Sequence, residues 1–196
     1  MKEYNYDRAE KDAFGKLAKL PKTLHYHNLE HTKDVLEAVK RLCFFEGVLG
    51  DEFLLLKTAA LYHDTGYLID PKKHEEMGVR IAKSILPSYQ YDSRDIDKIS
   101  GIILATKMPQ APKTKLQKII CDADLDNLGR EDFYVKGELL RLEFEKQGVT
   151  IPPRAWYENS INLLENHHYF TDAAKRLRDK GKEKHIEEIK ELLKIK

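Results

Sequence analysis

The sequence predicts an all-α protein that folds as a single compact helical bundle of about nine helices. Apolar residues recur at helical spacing along nearly the whole chain, and no segment shows the alternation typical of a strand. The chain has 196 residues, of which 41% are hydrophobic. It is therefore long enough to bury a core in one domain without a disulfide or a structural metal.

Capping and stop signals mark the helices of the first half. Asn28 is a predicted N-cap and Gly47 a predicted stop for the second helix. Asp51 and Gly66 are expected to do the same for the third, and Asp70 followed by a proline is expected to open the fourth. These four helices are expected at about 5–20, 28–47, 51–66 and 70–85.

The second half predicts five more helices, which proline and glycine residues separate. Asp92 precedes the fifth, and the proline-containing segment 108–112 must end it. The last helix is lysine- and glutamate-rich but keeps a helical apolar period, with a potential break at Gly181. The remaining helices are expected at about 114–128, 131–147, from 152 onward, and from 171 to the end.

The charge balance excludes several classes of partner. There are 34 Lys and Arg against 33 Asp and Glu, a formal net charge of +1, so no general basic field attracts a long nucleic acid. No apolar run approaches the ~18 residues that span a bilayer, and the start of the chain lacks the apolar core of a signal peptide. Cys43 and Cys121 form neither a disulfide framework nor a metal-type pair, which predicts a reducing, cytoplasmic location.

Four polar side chains are predicted on helix faces that should be buried. His31 shares a face with Val35, four residues later. His63 points inward with the alanines one turn before it, and Asp64 follows it directly. Asp124 lies four residues after an isoleucine and four before a leucine, so it also faces inward.

These four side chains have a common explanation in one divalent cation. An unpaired buried carboxylate costs several kcal/mol, and a cation neutralises it while using neutral imidazole lone pairs. Two nitrogens and two oxygens favour Mn, Fe, Co, Ni or Zn. Since successive helical residues diverge by about 100°, His63 and Asp64 can share an ion only where the helix ends, and the following Thr65-Gly66 predicts that end.

The same residues, in this order, resemble the HD superfamily of metal-dependent phosphohydrolases. The pattern is a His, then a His-Asp pair, then a distant Asp, all on helices. The resemblance covers about residues 20–195. The matching motifs are Tyr26-His-Asn-Leu-Glu-His-Thr32, Leu61-Tyr-His-Asp-Thr-Gly-Tyr67, the helix from Glu75 to Ala82, Ile103-Leu-Ala-Thr-Lys107 and Asp122-Ala-Asp-Leu-Asp-Asn-Leu-Gly129.

The resemblance implies an HD-type domain over 1–196, with a metal-binding core at about 25–130 and C-terminal helices 131–196 packed on it. It implies a phosphohydrolase that cleaves a phosphoester or phosphoanhydride of a small substrate, with a nucleotide favoured, by attack of a metal-bound water. The implied metal ligands are His31, His63, Asp64 and Asp124, for one ion of Mn, Fe, Co, Ni, Zn or Mg.

Three departures from the family pattern leave questions open. Leu24-His25 stands where an Arg often precedes the first motif. Asp122 competes with Asp124 as the final ligand, although the facing argument favours Asp124. The mid-chain motif contains no histidine, which leaves His74 as the spare one and favours a single metal.

Further roles follow from the same resemblance. Glu75 and His74 are candidates for proton transfer beside Asp64, with Asp70 a weaker one. Candidate phosphate contacts are Lys107 first and Arg80 second, and His27 is expected on the substrate side or behind the ligands. Two alternatives stay open: a nucleotide-binding sensor or scaffold without turnover, and a two-iron oxygenase. The oligomeric state stays open as well, a homodimer included.

Overall fold

The computed structural model describes residues 3–194, and within them it contains nine α-helices and no strand. The all-α prediction is therefore confirmed. The helices are α1 (Tyr6–Leu17), α2 (Leu29–Glu46), α3 (Gly50–Tyr62), α4 (His74–Ile85), α5 (Ser93–Leu104), α6 (Lys115–Asp124), α7 (Phe133–Lys146), α8 (Pro153–Asn166) and α9 (Asp172–Lys194). Short 3-10 helices lie at Thr65–Leu68, Pro71–Lys73, Leu86–Tyr89 and Asp126–Gly129.

The main core lies among α1 to α6, and a smaller apolar cluster holds the C-terminal helices. Side chains of the main core include Val39, Leu56, Ile99, Ile103 and Ile120, each fully buried. The smaller cluster is formed by Leu128, Phe133, Leu164 and Ile189. The two clusters share α9, because Ala173 and Ala174 at its start pack into the main core while Ile189 packs into the smaller one. The last helix thus ties the C-terminal segment to the core.

Several predicted caps are present. The side chain of Asn28 accepts hydrogen bonds from the backbone N–H groups of Glu30 and His31, and Gly47 ends α2 in the left-handed region at φ 66°. Asp92 caps α5, and Thr114 opens α6 with a reciprocal capping box. The ends at Asn28, Gly47 and Asp92 were predicted because each depends on one local residue type, whereas the capping box at Thr114 was not predicted.

Other ends differ from the prediction. Helix α3 begins at Gly50 without a side-chain cap, and it stops at Tyr62 rather than Gly66. Gly66 lies in the 3-10 helix that follows, where an added Cβ would lie 1.8 Å from the carbonyl oxygen of His74. Asp70 caps a separate 3-10 turn, so α4 begins four residues later than expected. Gly66 therefore permits close packing of α4 rather than ending a helix.

Helix α9 is continuous through Gly181, where a break was considered. An added Cβ at Gly181 would lie 2.2 Å from the carbonyl oxygen of Gly129, and one at Gly129 would lie 2.3 Å from that of Arg178. The two glycines therefore let α9 cross the 3-10 helix after α6 at close range. Within residues 3–194, none of the helices has the length and apolar character needed to cross a membrane.

Candidate metal centre

The four inward polar residues occupy helix ends that meet at one point. His31 lies in the first turn of α2, and Asp124 is the last residue of α6. His63 caps the C-terminus of α3, and Asp64 follows it outside the helix. His31, His63 and Asp64 are buried, whereas the side chain of Asp124 is 18% exposed. The cluster is therefore closed on most sides and open near Asp124.

Four ligand-type atoms face one another at short range. The Nε2 atom of His31 lies 3.1 Å from Oδ1 of Asp124 and 3.6 Å from Oδ2 of Asp64. The Nε2 atom of His63 lies 3.3 Å from Oδ2 of Asp64 and 3.5 Å from Oδ1 of Asp124. One ligand atom each of His31, His63 and Asp124 lies within 4.8 Å of the other two, a grouping that a single cation can bridge, and Asp64 lies beside both histidines.

Unsatisfied buried atoms support this fit. His63 Nε2 and Asp64 Oδ2 are both buried and have no hydrogen-bond partner among the described residues. The Nδ1–H of His63 donates to the carbonyl oxygen of Ala60 at 2.8 Å, which leaves the Nε2 lone pair directed into the cluster. Because buried polar groups normally find a partner, these residues fit a bound divalent cation.

The charges of His63, Asp64 and Asp124 are strongly linked. Burial lowers the pKa of His63, but the carboxylates of Asp64 and Asp124 outweigh it and raise this pKa to about 9. Burial raises the pKa of both carboxyl groups, and the neighbouring histidines reverse this and hold each pKa below its usual value. A metal ion must therefore displace a proton from this cluster when it binds.

The end of α3 is shaped by its neighbours. The hydroxyl of Thr65 donates to the carbonyl oxygen of Tyr62 at 2.7 Å, which caps the helix one residue before His63. Helix α4 passes close to this end, because an added Cβ at Gly78 would lie 2.8 Å from the oxygen of Tyr62 and 3.0 Å from that of His63. The predicted helix end at the His-Asp pair is thus present, with its detailed cause in Thr65 and Gly78.

The two candidates for the last ligand have different surroundings. Asp122 is fully buried and accepts hydrogen bonds from the backbone N–H groups of Phe170 and Thr171 and from the Thr171 hydroxyl, at 2.8, 2.8 and 2.6 Å. Its oxygens face the start of α9. Asp124 faces His31 and His63 instead. The geometry supports Asp124 as the ligand, an assignment that stays a prediction.

One wall of the site is formed by stacked rings. Tyr67 stacks on His27, with ring centroids 4.6 Å apart, and on His74, with centroids 4.3 Å apart. His27 Nδ1 pairs with Oε1 of Glu143 at 2.6 Å, while Oε2 of the same carboxylate accepts the backbone N–H groups of Tyr26 and His27. Burial lowers the pKa of His27, but the carboxylates of Glu143, Asp64 and Asp124 together outweigh it, with a net rise. The ring of His27 is thus fixed at the rim beside His31.

The proton-transfer candidates lie on the side of Asp64. His74 Nδ1–H donates to the carbonyl oxygen of Pro71 at 3.0 Å. Its Nε2 lies 3.3 Å from Oε1 of Glu75 and 3.8 Å from Oδ1 of Asp64. Glu75 is buried, whereas Asp70 uses its carboxylate to cap the turn before α4. His74 and Glu75 are therefore brought to the site, and the carboxylate of Asp70 is engaged in capping.

The two predicted phosphate contacts, Lys107 and Arg80, differ in their surroundings. Lys107 pairs with Glu76, the residue after Glu75, which places it at the edge of the site. Arg80 is exposed on α4, and within residues 3–194 its side chain makes no hydrogen bond or ion pair. Lys107 thus stays a candidate, whereas no contact connects Arg80 to the site.

Several residues at the site were not predicted. Tyr67 stacks on His27 in the wall of rings, and Glu143 holds the ring of His27. Arg130 and Lys136 line a cleft that also includes His31 and Asp124. Glu143 gives no local signal, because its partner His27 is 116 residues away. Arg130, directly after the last motif, was the one that a search for basic residues near the motifs could have found.

Comparisons with known proteins agree with this geometry. A family model described as HD domain matches residues 26–126. No curated protein matches the chain. YpgQ of Bacillus subtilis, solved in complex with ADP, is similar with a TM-score of 0.69 and 21% identity over 97% of this chain and 94% of its own.

Two other solved structures are similar over nearly their whole length. A predicted HD superfamily hydrolase from an uncultured Thermotogales bacterium has a TM-score of 0.62 and 16% identity, over 93% of this chain and 90% of its own. A Lactobacillus plantarum protein has a TM-score of 0.70 and 18% identity, over 98% of both chains. At these identities they show the shared fold, while the family model covers half of the chain. The chain therefore belongs to the HD domain family.

Proposed function

We propose that this protein is a metal-dependent phosphohydrolase that acts on a nucleotide or a related small phosphorylated substrate. The observation that carries the proposal is the convergence of ligand atoms of His31, His63 and Asp124 beside Asp64, because His63 Nε2 and Asp64 Oδ2 are buried without a hydrogen-bond partner among the described residues. Without a cation, a proton on His63, whose pKa the two carboxylates raise to about 9, offsets part of their charge, and a divalent cation can replace that proton. Membership of the HD domain family points the same way.

His31, His63, Asp64 and Asp124 would hold the cation. When bound, a divalent cation polarises a phosphate oxygen and lowers the pKa of a water molecule. The partial exposure of Asp124 leaves an open side through which a phosphate group can approach. The buried histidines and the fixed tautomer of His63 keep the ligand geometry constant, so the protein contributes position rather than covalent chemistry.

Proton transfer is assigned to the pair formed by Glu75 and His74. Because His74 Nδ1 already donates to Pro71, its Nε2 and Oε1 of Glu75, 3.3 Å apart, can share one proton. The pair lies next to Asp64, so it can accept a proton from an attacking water molecule and return it to the leaving oxygen. Glu75 is buried, which favours its use as a base in a site shielded from bulk water.

His27 is assigned to the substrate. Glu143 holds its Nδ1, so the other ring nitrogen points away from Glu143 and is available for a hydrogen bond to a phosphate oxygen. Tyr67 is buried and stacks on both His27 and His74, so it helps to hold the His27 ring in place. A nucleotide substrate is supported by one neighbour, since YpgQ was solved with ADP.

The test begins with metal content and continues with turnover. Protein purified without chelator should carry about one divalent ion per chain, and Asp124→Asn should carry almost none. Nucleoside mono-, di- and triphosphates and a general phosphoester, each with Mn, Co, Ni and Mg, should give phosphate or pyrophosphate release that Asp124→Asn abolishes. Asp97→Asn is the matched control, because Asp97 is an exposed acid that pairs with Lys83 on the surface.

Three outcomes would overturn the proposal or part of it. Full metal occupancy in Asp124→Asn would remove the ligand assignment. Tight nucleotide binding with no turnover across the panel would favour a sensor. Two irons per chain would instead indicate the oxygenase.

A further inference from the structure

Three large apolar side chains are exposed where the chain turns from α2 into α3. Phe44 is 77% exposed, Leu49 74% and Phe45 51%. The two phenylalanine rings lie edge to face with centroids 5.4 Å apart, and Gly47 in the left-handed region turns the chain between them and Leu49. Single exposed apolar residues are ordinary, whereas a group of them is typical of a binding surface. We call Phe44, Phe45 and Leu49 the apolar tip.

Phe44 lies on the face of α2 that points to solvent. The buried face of this helix carries Val39 and Cys43 into the main core. Glu37 and Lys40, seven and four residues before Phe44, are exposed and pair with each other at 2.6 Å. Since residues four and seven positions apart share a helix face, Phe44 stands where the pattern of this helix predicts a polar residue. The core therefore gives no reason for this side chain.

The size of the apolar tip suits a contact between proteins. A phenylalanine side chain covers about 200 Å², so the exposed fractions leave about 250 Å² on the two rings, and Leu49 raises the total to about 350 Å². One side of a standard protein interface covers about 800 Å², of which somewhat more than half is apolar. The apolar tip thus supplies most of the apolar area that one side of such an interface needs.

The charges around the apolar tip favour a second copy of the same chain over other partners. Two ion pairs flank the tip, Glu37 with Lys40 and Lys115 with Glu46. The first turn of α3 adds Asp51 and Glu52, at a helix N-terminus that offsets negative charge. A nucleic acid or an anionic lipid surface requires an excess of basic residues, which this rim lacks. Because the flanking pairs contain both signs, two identical rims can face each other without strong repulsion.

We propose that the apolar tip is a self-association surface at which a second copy of this chain binds and forms a two-fold dimer. In a two-fold contact the same patch faces itself, so the three side chains of each copy cover those of the other. The tip lies at the C-terminal end of α2, whereas His31 lies in its first turn, and a rise of 1.5 Å per residue places Phe44 about 20 Å from His31. The contact therefore leaves the candidate metal centre outside it, and this inference does not depend on the proposed function.

Sedimentation velocity of the full chain, over about a hundredfold range of concentration, measures the association. Wild type should sediment at the upper end with about twice the mass of one chain. Phe44→Ser and Leu49→Ser should each weaken dimerisation about 100-fold or more, because a two-fold contact loses each replaced side chain twice. Val135→Ser is the control, since Val135 is an exposed apolar residue of α7 outside the tip, and it should leave the association unchanged.

The variants must differ from wild type in association alone. Helical circular dichroism and manganese content should match wild type in all of them, because the replaced side chains are exposed, and Leu49→Ser serves alone if Phe44→Ser does not fold. A wild-type protein that stays monomeric throughout the range, or a dimer that neither substitution weakens, would overturn the proposal. A monomer that binds phosphatidylserine-containing vesicles, and loses this binding in Phe44→Ser, would overturn it in favour of a lipid surface.

Discussion

Two pairs of acids, three of them buried and Asp124 partly exposed, are compensated in opposite ways. Asp122 and Asp126 are satisfied by the protein itself, through Thr171 and the Phe170 amide in one case and through Arg41 and Arg178 in the other. Asp64 lies beside His63, and Asp124 lies beside His31. In this second pair of acids, Oδ2 of Asp64 has no hydrogen-bond partner among the described residues, and neither has Nε2 of His63. The comparison shows that burial of an acid alone does not indicate a site, whereas buried ligand atoms without an internal partner do.

The largest effect is expected when Asp126, one of the two acids that have partners within the protein, is replaced. Asp126→Ala removes the acid that neutralises Arg41 and Arg178, and it should lower the free energy of unfolding by about 3–5 kcal/mol, because two partly buried cations lose their partner. Urea unfolding of the metal-free protein measures this. The exposed control Asp97→Ala should change it by less than about 0.5 kcal/mol. An Asp126 variant as stable as the control would contradict the structural role.

The second prediction contrasts Asp122 and Asp124, two acids of α6 that are expected to have different roles. Saturating manganese should stabilise wild type by about 3 kcal/mol at a hundredfold excess over Kd. Asp122→Asn should lower the metal-free stability yet keep this gain, because its oxygens bond to the start of α9. Asp124→Asn should keep most of the metal-free stability and lose the gain.

Thermal unfolding with and without manganese measures both quantities. The comparison fails if the two variants behave alike, or if Asp122→Asn is the one that loses the manganese effect. Removal of Asp124 leaves His63 beside one carboxylate instead of two, so the pKa of His63 should also fall from about 9. Histidine NMR titration of the metal-free protein detects that change.

The parts of this picture that the sequence predicts are those that depend on local signals. The all-α fold, the cap at Asn28 and the cap at Asp92 each follow from residues within one turn. The helix ends at Gly66 and near Leu128 were misplaced, because a 3-10 turn has nearly the same apolar spacing as the last turn of an α-helix.

What could not be predicted depends on contacts between distant parts of the chain. Periodicity placed Asp122 and Asp126 away from the face of Asp124, yet both are buried, because α9 and the segment before it cover that side. Glu143 reaches His27 across 116 residues, a pairing that no spacing rule contains. A single sequence thus indicates which residues face inward within a helix, but not which other helix meets them.

A smaller effect is expected at the contact between His27 and Glu143. Glu143→Gln keeps the shape of the side chain but removes the charge that fixes the His27 ring at 2.6 Å. We expect kcat/KM to fall about tenfold, the effect of one charge-assisted hydrogen bond, and the pH profile of activity to shift to lower pH, because Glu143 raises the pKa of His27. Steady-state kinetics over pH 5 to 9 measure both.

Glu145→Gln is the matched control on the same helix, since Glu145 is exposed. Metal content should equal that of wild type in both variants, which separates a substrate-side role from damage to the metal centre. A loss of metal in Glu143→Gln would instead make Glu143 part of the support of His31.

The smallest expected effect extends the comparison to two histidines. Carboxylates raise the pKa of His63, whereas burial and then Lys182 lower the pKa of His167 to about 4, and neither ring nitrogen of His167 has a partner among the described residues. With an unfolded pKa near 6.5, the unfolded chain takes up a proton between pH 6.5 and 4 that folded His167 refuses. This contribution therefore costs stability as pH falls through 6.5 and levels off below about 4.

Because the ring is partly exposed, His167→Asn should recover about 1 kcal/mol or less at pH 5 relative to pH 7.5, measured by urea unfolding at both pH values. His168→Asn, at an exposed neighbouring position, should leave that difference unchanged. An acid-side recovery in His168→Asn alone would show that the neutral, unpaired ring of His167 is not the source of the acid sensitivity.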